Sequence, residues 1–156
     1  MHIDESRRVL RDSYLFRDLN ETHLELILMI CEEIAYDAGD VIFRQEEPGD
    51  ALYIVGRGEV QVFLETEGEE LELALLGEKE TFGESILVEE GGRSAGIRCR
   101  TPVQLLRLPR RQIVRLMANY PEIGYRILHR MAADLMLKLQ SANRRLRRAY
   151  KETEST

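Results

Sequence analysis

Tryptophan is absent from the 156 residues, and cysteine, histidine and proline are scarce, at two, three and four copies. Cys31 and Cys99 stand far apart, with no C-x-x-C spacing and no Cys/His cluster. The sequence therefore offers no disulfide framework, no zinc knuckle and no four-thiolate iron–sulfur centre, and the two cysteines read as buried thiols. His2, His23 and His129 are scattered as well, and none sits in a nucleophile or metal constellation. Ser-His-Asp, Walker-loop and paired-carboxylate patterns are missing, so neither catalysis nor a metal site is read here. Long apolar runs are missing too: Leu26 to Ile30 is about a quarter of a membrane span, and no charged-then-apolar leader opens the chain. The expectation is no membrane association and a cytoplasmic location. Net positive charge is lacking, since the formal charge is -6, which disfavours a dedicated nucleic-acid binder.

What is present describes one ordinary globular domain over residues 1–156, with 44% apolar and 32% charged residues and enough length to bury a core unaided. Ten of the eleven glycines fall between Gly39 and Gly96, so the middle is turn-rich and the flanks helical. Residues 1–31 predict N-terminal helices: a short weak one from Ser6 to Tyr14, then one capped by Asn20 that buries Leu24, Ile27, Leu28 and Cys31. Residues 32–108 switch to period two, with Ile34 and Tyr36, Val41 and Phe43, Val60 to Leu64, Leu71 to Leu75, Ala95 to Cys99, and Val103 and Leu105 alternating against neighbours that are often polar. Short strands spaced by turns predict an antiparallel sandwich or roll with one face of each strand inward.

Helical spacing returns over 109–150. Pro109 suits a first-turn position, and a long final helix starts near Pro121 and runs to about Tyr150. Ala132, Leu135, Leu139, Ala142, Leu146 and Ala149 recur at threes and fours, a heptad seam for self-association, while Ile127, Leu128 and Met131 form a second face to pack on the roll. Arg144, Arg145, Arg147 and Arg148 are the one basic cluster. They suit a solvated helix C-terminus, with an acidic partner or nucleic acid as the alternative. Residues 151–156 read as a disordered tail.

One stretch combines chemistry that nothing else in the chain does: Phe82 to Ala95 holds a carboxylate (Glu84), a guanidinium (Arg93), hydroxyls and three glycines. Glycine turns let backbone N–H groups form a concave nest for an anion, and an arginine adds a charge-assisted contact to phosphate. A carboxylate beside an anion site needs a donor, and a sugar hydroxyl supplies one. The blander readings are hairpin glycines and an Arg93 that neutralises Glu84 or Glu90.

This run resembles the phosphate-binding cassette of cyclic nucleotide-binding domains: Phe82-Gly83-Glu84, a short helical turn, then Arg93-Ser94-Ala95. Gly39-Asp40-Val41-Ile42-Phe43, Pro48-Gly49-Asp50, Leu52-Tyr53-Ile54-Val55 and Gly58-Glu59-Val60 carry a second signature of the same family, and the likeness runs from about Leu15 to Leu139. The resemblance implies an α+β, mainly β fold: a jelly-roll-like antiparallel β-roll of about eight strands, with N-terminal helices and a long C-terminal helix. It implies a non-enzymatic regulatory sensor that binds cAMP or cGMP as ligand, needs no cofactor, and signals through its last helix to a downstream partner. By position, Arg93 would take the phosphate and Glu84 the ribose 2'-hydroxyl, with Phe82, Gly83, Ser85, Ile86, Ser94 and Ala95 close by. Leu137, Lys138 and Gln140 are the candidates for covering the base; Lys138 and Leu139 replace the Thr-Ser pair of cAMP-responsive activators. Glu46 stands where the family often has glycine. Two alternatives are the sensor half of a transcription regulator without its helix-turn-helix, and a ligand-free dimerisation scaffold.

Overall fold

The computed structural model describes residues 1–154. Two helices open the chain, α1 (Ile3–Asp12) and α2 (Glu21–Ile30), joined through a 3-10 turn at Tyr14–Phe16. The Asn20 side chain accepts from the His23 N–H at 2.8 Å, the N-cap that the sequence leads one to expect, and Leu24 and Ile27 are buried below it. Leu28 and Cys31 are only half-buried.

Eight strands follow: β1 (Glu32–Tyr36), β2 (Val41–Phe43), β3 (Ala51–Arg57), β4 (Val60–Thr66), β5 (Glu69–Leu76), β6 (Thr81–Phe82), β7 (Gly96–Cys99) and β8 (Val103–Pro109). They form two four-stranded antiparallel sheets, ordered β1-β8-β3-β6 and β2-β7-β4-β5. Phe43, Tyr53, Val55, Val60, Phe82, Ile97, Cys99 and Leu105 fill the space between the sheets. A second core lies where the helices cover the outer face of the first sheet, built from Leu10, Phe16, Ile27, Leu52, Ile54, Leu106, Leu108, Ile113 and Ile127. Strand β3 serves both, so it is buried from Ala51 to Gly56 without a break. That is why it shows no apolar–polar alternation in the sequence.

Two expectations about the strands need correcting. Leu71, Leu73 and Leu75 do not form an inward face: all three are exposed. Leu73 is the extra residue where the β4–β5 register shifts, with Leu71 opposite Leu64 and Leu75 opposite Gln61. On β4 the residue most buried after Val60 is Phe63, not Val62 or Leu64. Phe63 lies opposite Gly96, where an added Cβ would meet the ring at 2.5 Å, and the Arg98 guanidinium covers it at 4.5 Å from the ring centroid.

Beyond β8 come α3 (Arg110–Asn119) and α4 (Pro121–Glu154). Pro109 is the N-cap of α3 rather than its first-turn residue. Residues 151–154 continue α4, which corrects the expected tail; Ser155 and Thr156 lie outside the described residues. Ile123, Ile127 and Met131 bury the base of α4 against the fold, and Arg130 grips Asp18 through two bonds of 2.7 and 2.9 Å. Leu128, expected on that packed face, is exposed. The seam residues Leu135, Leu139 and Leu146 project freely, as does the basic cluster, and no helix among the described residues is long and apolar enough to cross a membrane.

Candidate ligand cavity

The cavity is assembled where β6 ends. Tyr53 and Phe82 are paired across β3 and β6 and their rings stack at 4.9 Å, which fixes the direction in which the chain leaves the sheet. Gly83 then turns the chain at φ 78, and an added Cβ there would stand 2.7 Å from Arg93 Nη1. Glycine is thus required twice at this position, for its backbone conformation and for the guanidinium beside it. A 3-10 turn at Glu84–Leu87 follows, anchored by buried Ile86, whose carbonyl accepts from Arg110 Nε at 3.1 Å.

The far end of the stretch is tied to the β2–β3 loop. Arg93 N–H donates to the Glu47 carbonyl at 2.8 Å, Glu46 N–H to the Arg93 carbonyl at 2.7 Å, and Gly49 N–H to the Gly91 carbonyl at 3.1 Å. Gly92 forms a bridge with Pro48, and an added Cβ would press on the Glu46 backbone at 2.8 Å. The clamp aims the Arg93 side chain inward, where it is 4% exposed. Its Nη2 donates to the Ala51 carbonyl at 2.6 Å and its Nη1 to the Gly83 carbonyl at 3.2 Å, with the guanidinium 4.1 Å over the Phe43 ring. Asp50 stands 3.7 Å from Nη2 and also pairs with Arg107 at 3.2 Å. Asp50, the last residue of the Pro48-Gly49-Asp50 signature, therefore lies between two arginines. Burial lowers the Arg93 pKa, opposed by Tyr53 and Asp50.

Around these groups lies a cavity of about 270 Å³. Phe82, Gly83, Glu84, Ser85, Arg93, Ser94 and Ala95 line it, so all the cassette candidates reach the wall except Ile86, which packs beneath. Phe43, Val62, Leu76 and Ile97 add an apolar side that the sequence does not single out as a site; inward positions on β2, β4 and β7 are the only signal for Phe43, Val62 and Ile97, and Leu76 of β5 has none. Of the three residues proposed to cover a base, Lys138 reaches the cavity. Leu137 is exposed and Gln140 lies in a surface groove with Asn143, Arg144 and Arg147, so the structure does not bring either to this wall.

Three side-chain polar atoms of cavity-lining residues are buried without a hydrogen-bond partner: Arg93 Nε, a donor, Glu84 Oε2, an acceptor, and the Thr81 hydroxyl, which can do either. Arg93 and Glu84 do not form an ion pair with one another, so the blander reading of mutual neutralisation does not describe the site. Burial pushes the Glu84 carboxyl above the ordinary carboxylate range, while its own backbone N–H and the Lys138 and Arg93 cations pull it down and Asp134 raises it further. An enclosed donor cation, an unpartnered acceptor and an apolar wall suit a compact anion with a hydroxyl and an aromatic or aliphatic body. No cluster of metal-ligating side chains occurs among the described residues.

Residues 33–120 match the cyclic nucleotide-binding domain model. The cyclic AMP receptor protein of Thermus thermophilus is 36% identical over 86% of this chain and 61% of its own length. A cGMP-dependent protein kinase of Caenorhabditis briggsae is 32% identical over 67% of this chain, which spans only 14% of the kinase. Among solved structures, the N-terminal domain of a transcriptional regulator from Streptomyces coelicolor superposes with a TM-score of 0.76 at 30% identity, covering 86% of this chain and 94% of that domain.

Proposed function

Because the chain belongs to the cyclic nucleotide-binding domain family, we propose that it binds cAMP or cGMP in the cassette cavity and acts as a regulatory sensor whose output is the position of α4. The observation that carries this reading is that one cavity holds both an unpartnered cationic donor, Arg93 Nε, and an unpartnered carboxylate oxygen, Glu84 Oε2. A cyclic phosphodiester supplies the anion and acceptors for the first, and a ribose hydroxyl supplies the donor for the second. Ser85, Ser94 and Ala95 line the same cavity, and Lys138 reaches it from α4, where it would meet the base.

A ligand moves α4 only through unequal affinity for two arrangements of that helix. The helix is poised for this role: its base is packed and pinned by Arg130 to Asp18, while its outer two thirds carry an unpartnered apolar stripe. We propose that Ala132, Leu135, Leu139, Ala142, Leu146 and Ala149 pair with a second copy of the chain, making the active unit a homodimer. The match over 86% of this chain and 61% of the Thermus receptor, together with the Streptomyces domain, favours a second reading in which the sensor belongs to a transcription regulator.

A thermal-unfolding panel tests the ligand class. At a hundred times its dissociation constant a true ligand stabilises by about 2.7 kcal/mol. The expected result is a rise in Tm with cAMP or cGMP and none with the acyclic 5'-monophosphates; no response to either cyclic nucleotide sinks the reading and leaves the scaffold alternative.

A further inference from the structure

We propose that Asp134 is a positioning residue that keeps Glu84 open to the ligand by holding Lys138 away from it. The inference rests on the reading that Glu84 accepts a hydrogen bond from a ligand hydroxyl.

Lys138 is the one α4 residue on the cavity wall among the described residues. Its ammonium does not serve Glu84; it is bound to Asp134 Oδ2 at 2.9 Å, one turn earlier on the same helix. Asp134 is the fixed end of that pair, with its side chain 32% exposed against 69% for Lys138. Across the cavity, Glu84 Oε2 is buried with no partner, the situation in which a carboxylate gains most from a mobile cation. A lysine ammonium on a four-carbon stem is such a cation. The groups facing Glu84 come from three elements: Arg93 in the cassette, Tyr14 in the 3-10 turn, and Asp134 and Lys138 on α4. Arg93 is committed to the carbonyls of Ala51 and Gly83, and the Tyr14 phenol is held neutral by burial and by Glu84, leaving Lys138 as the cation free to swing.

With Asp134 in place, Lys138 stays on the helix and the acceptor face of Glu84 remains available. Without it, Lys138 loses the carboxylate that holds it, and Glu84, which lines the same cavity and feels the Lys138 charge, is left as an opposite charge for it. The resulting pair would occupy the acceptor and lay the lysine stem across the cavity, so the ligand would have to break it.

A double-mutant cycle on the whole chain decides this, with wild type, Asp134→Asn, Lys138→Met and the double variant. Carbon-detected NMR titration of the Glu84 carboxyl needs no ligand. Asp134→Asn lowers its midpoint in both backgrounds by removing a nearby negative charge, but by about one pH unit more where Lys138 is present to be recruited. Equal shifts in both backgrounds overturn the proposal. In calorimetry with cAMP and cGMP, Asp134→Asn alone weakens binding about fivefold or more, and adding Lys138→Met restores it. A loss that persists in the double variant overturns the proposal as well. Failure of the wild type to bind either nucleotide refutes the ligand reading instead, while the NMR cycle still decides whether Asp134 controls Lys138.

Discussion

Glu46 holds a left-handed backbone conformation at φ 72, and its N–H and carbonyl region brace the cassette through Arg93 and Gly92. A side chain in that conformation costs roughly 1–2 kcal/mol, which glycine avoids at the expense of greater freedom in the unfolded chain. Glu46→Gly is therefore expected to raise stability by about 0.5–1 kcal/mol, measured by denaturant unfolding; a loss of stability would show that the Glu46 side chain supports the loop. Glu84 gives a prediction in pH. Its folded pKa is raised by burial, so it binds protons more readily in the folded than in the unfolded chain. Its ionisation therefore opposes folding above the raised value, and that opposition fades as pH falls through it. Ligand affinity runs the other way, because only the carboxylate accepts fully from a hydroxyl. Affinity should fall as pH drops through the raised Glu84 value and stay flat across that window in Glu84→Gln, as read by calorimetry at several pH values. A wild type and variant with the same pH profile would remove Glu84 from the contact.

Among the elements, α4 carries the longest consequence. Tyr125, Leu128, Ala132, Leu135, Leu139, Ala142, Leu146 and Ala149 recur at threes and fours, and the five larger ones are 38% to 68% exposed. The stripe thus begins at Tyr125, a turn and more before the seam legible in the sequence, and extends over about 36 Å at 1.5 Å per residue. On a heptad that places Tyr125 at the first seam position, Arg144, Arg147 and Arg148 fall on the outward face, so pairing two copies does not bury them. Leu139→Asp should abolish self-association in light scattering while leaving thermal unfolding of the monomer intact, since Leu139 is 55% exposed and belongs to neither core. An unchanged mass would place the contact elsewhere. The same helix shows where sequence reasoning stops. Period and spacing gave its existence and its apolar residues, but which residue faces the cavity depends on helix phase relative to the roll. Of Leu137, Lys138 and Gln140, one turn offers the cavity a single position, and it is Lys138. The cassette was legible because its turn, carboxylate and arginine lie within one short run. Phe43, Val62 and Ile97 were not, because three separate strands bring them to the wall. Strand β3 left no alternation to read because both its faces are covered, and the β5 bulge left no mark on the spacing of Leu71, Leu73 and Leu75.

In the whole molecule, a two-sheet roll supplies one wall of the cavity, the N-terminal helices and α3 cover its outer sheet, and both the cassette turn, through Ile86 and Arg110, and α4, through Lys138, join that packed layer to the cavity. On the proposed function, binding energy gained at Arg93 and Glu84 would reach the helical layer through these two elements, and a ligand that switches α4 almost fully would have to distinguish two arrangements of it by about 5.5 kcal/mol. That coupling presupposes that Arg93 meets a phosphate. Removing one partner of such a buried, hydrogen-bonded charge pair costs about 3–5 kcal/mol, or roughly a hundredfold and more in affinity. The direct test is a calorimetric titration of wild type and Arg93→Ala with cAMP and with cGMP, after confirming that the variant unfolds cooperatively. The account predicts saturable binding of at least one nucleotide by the wild type and a loss of about a hundredfold or more in the variant; equal affinity in the two proteins would contradict it.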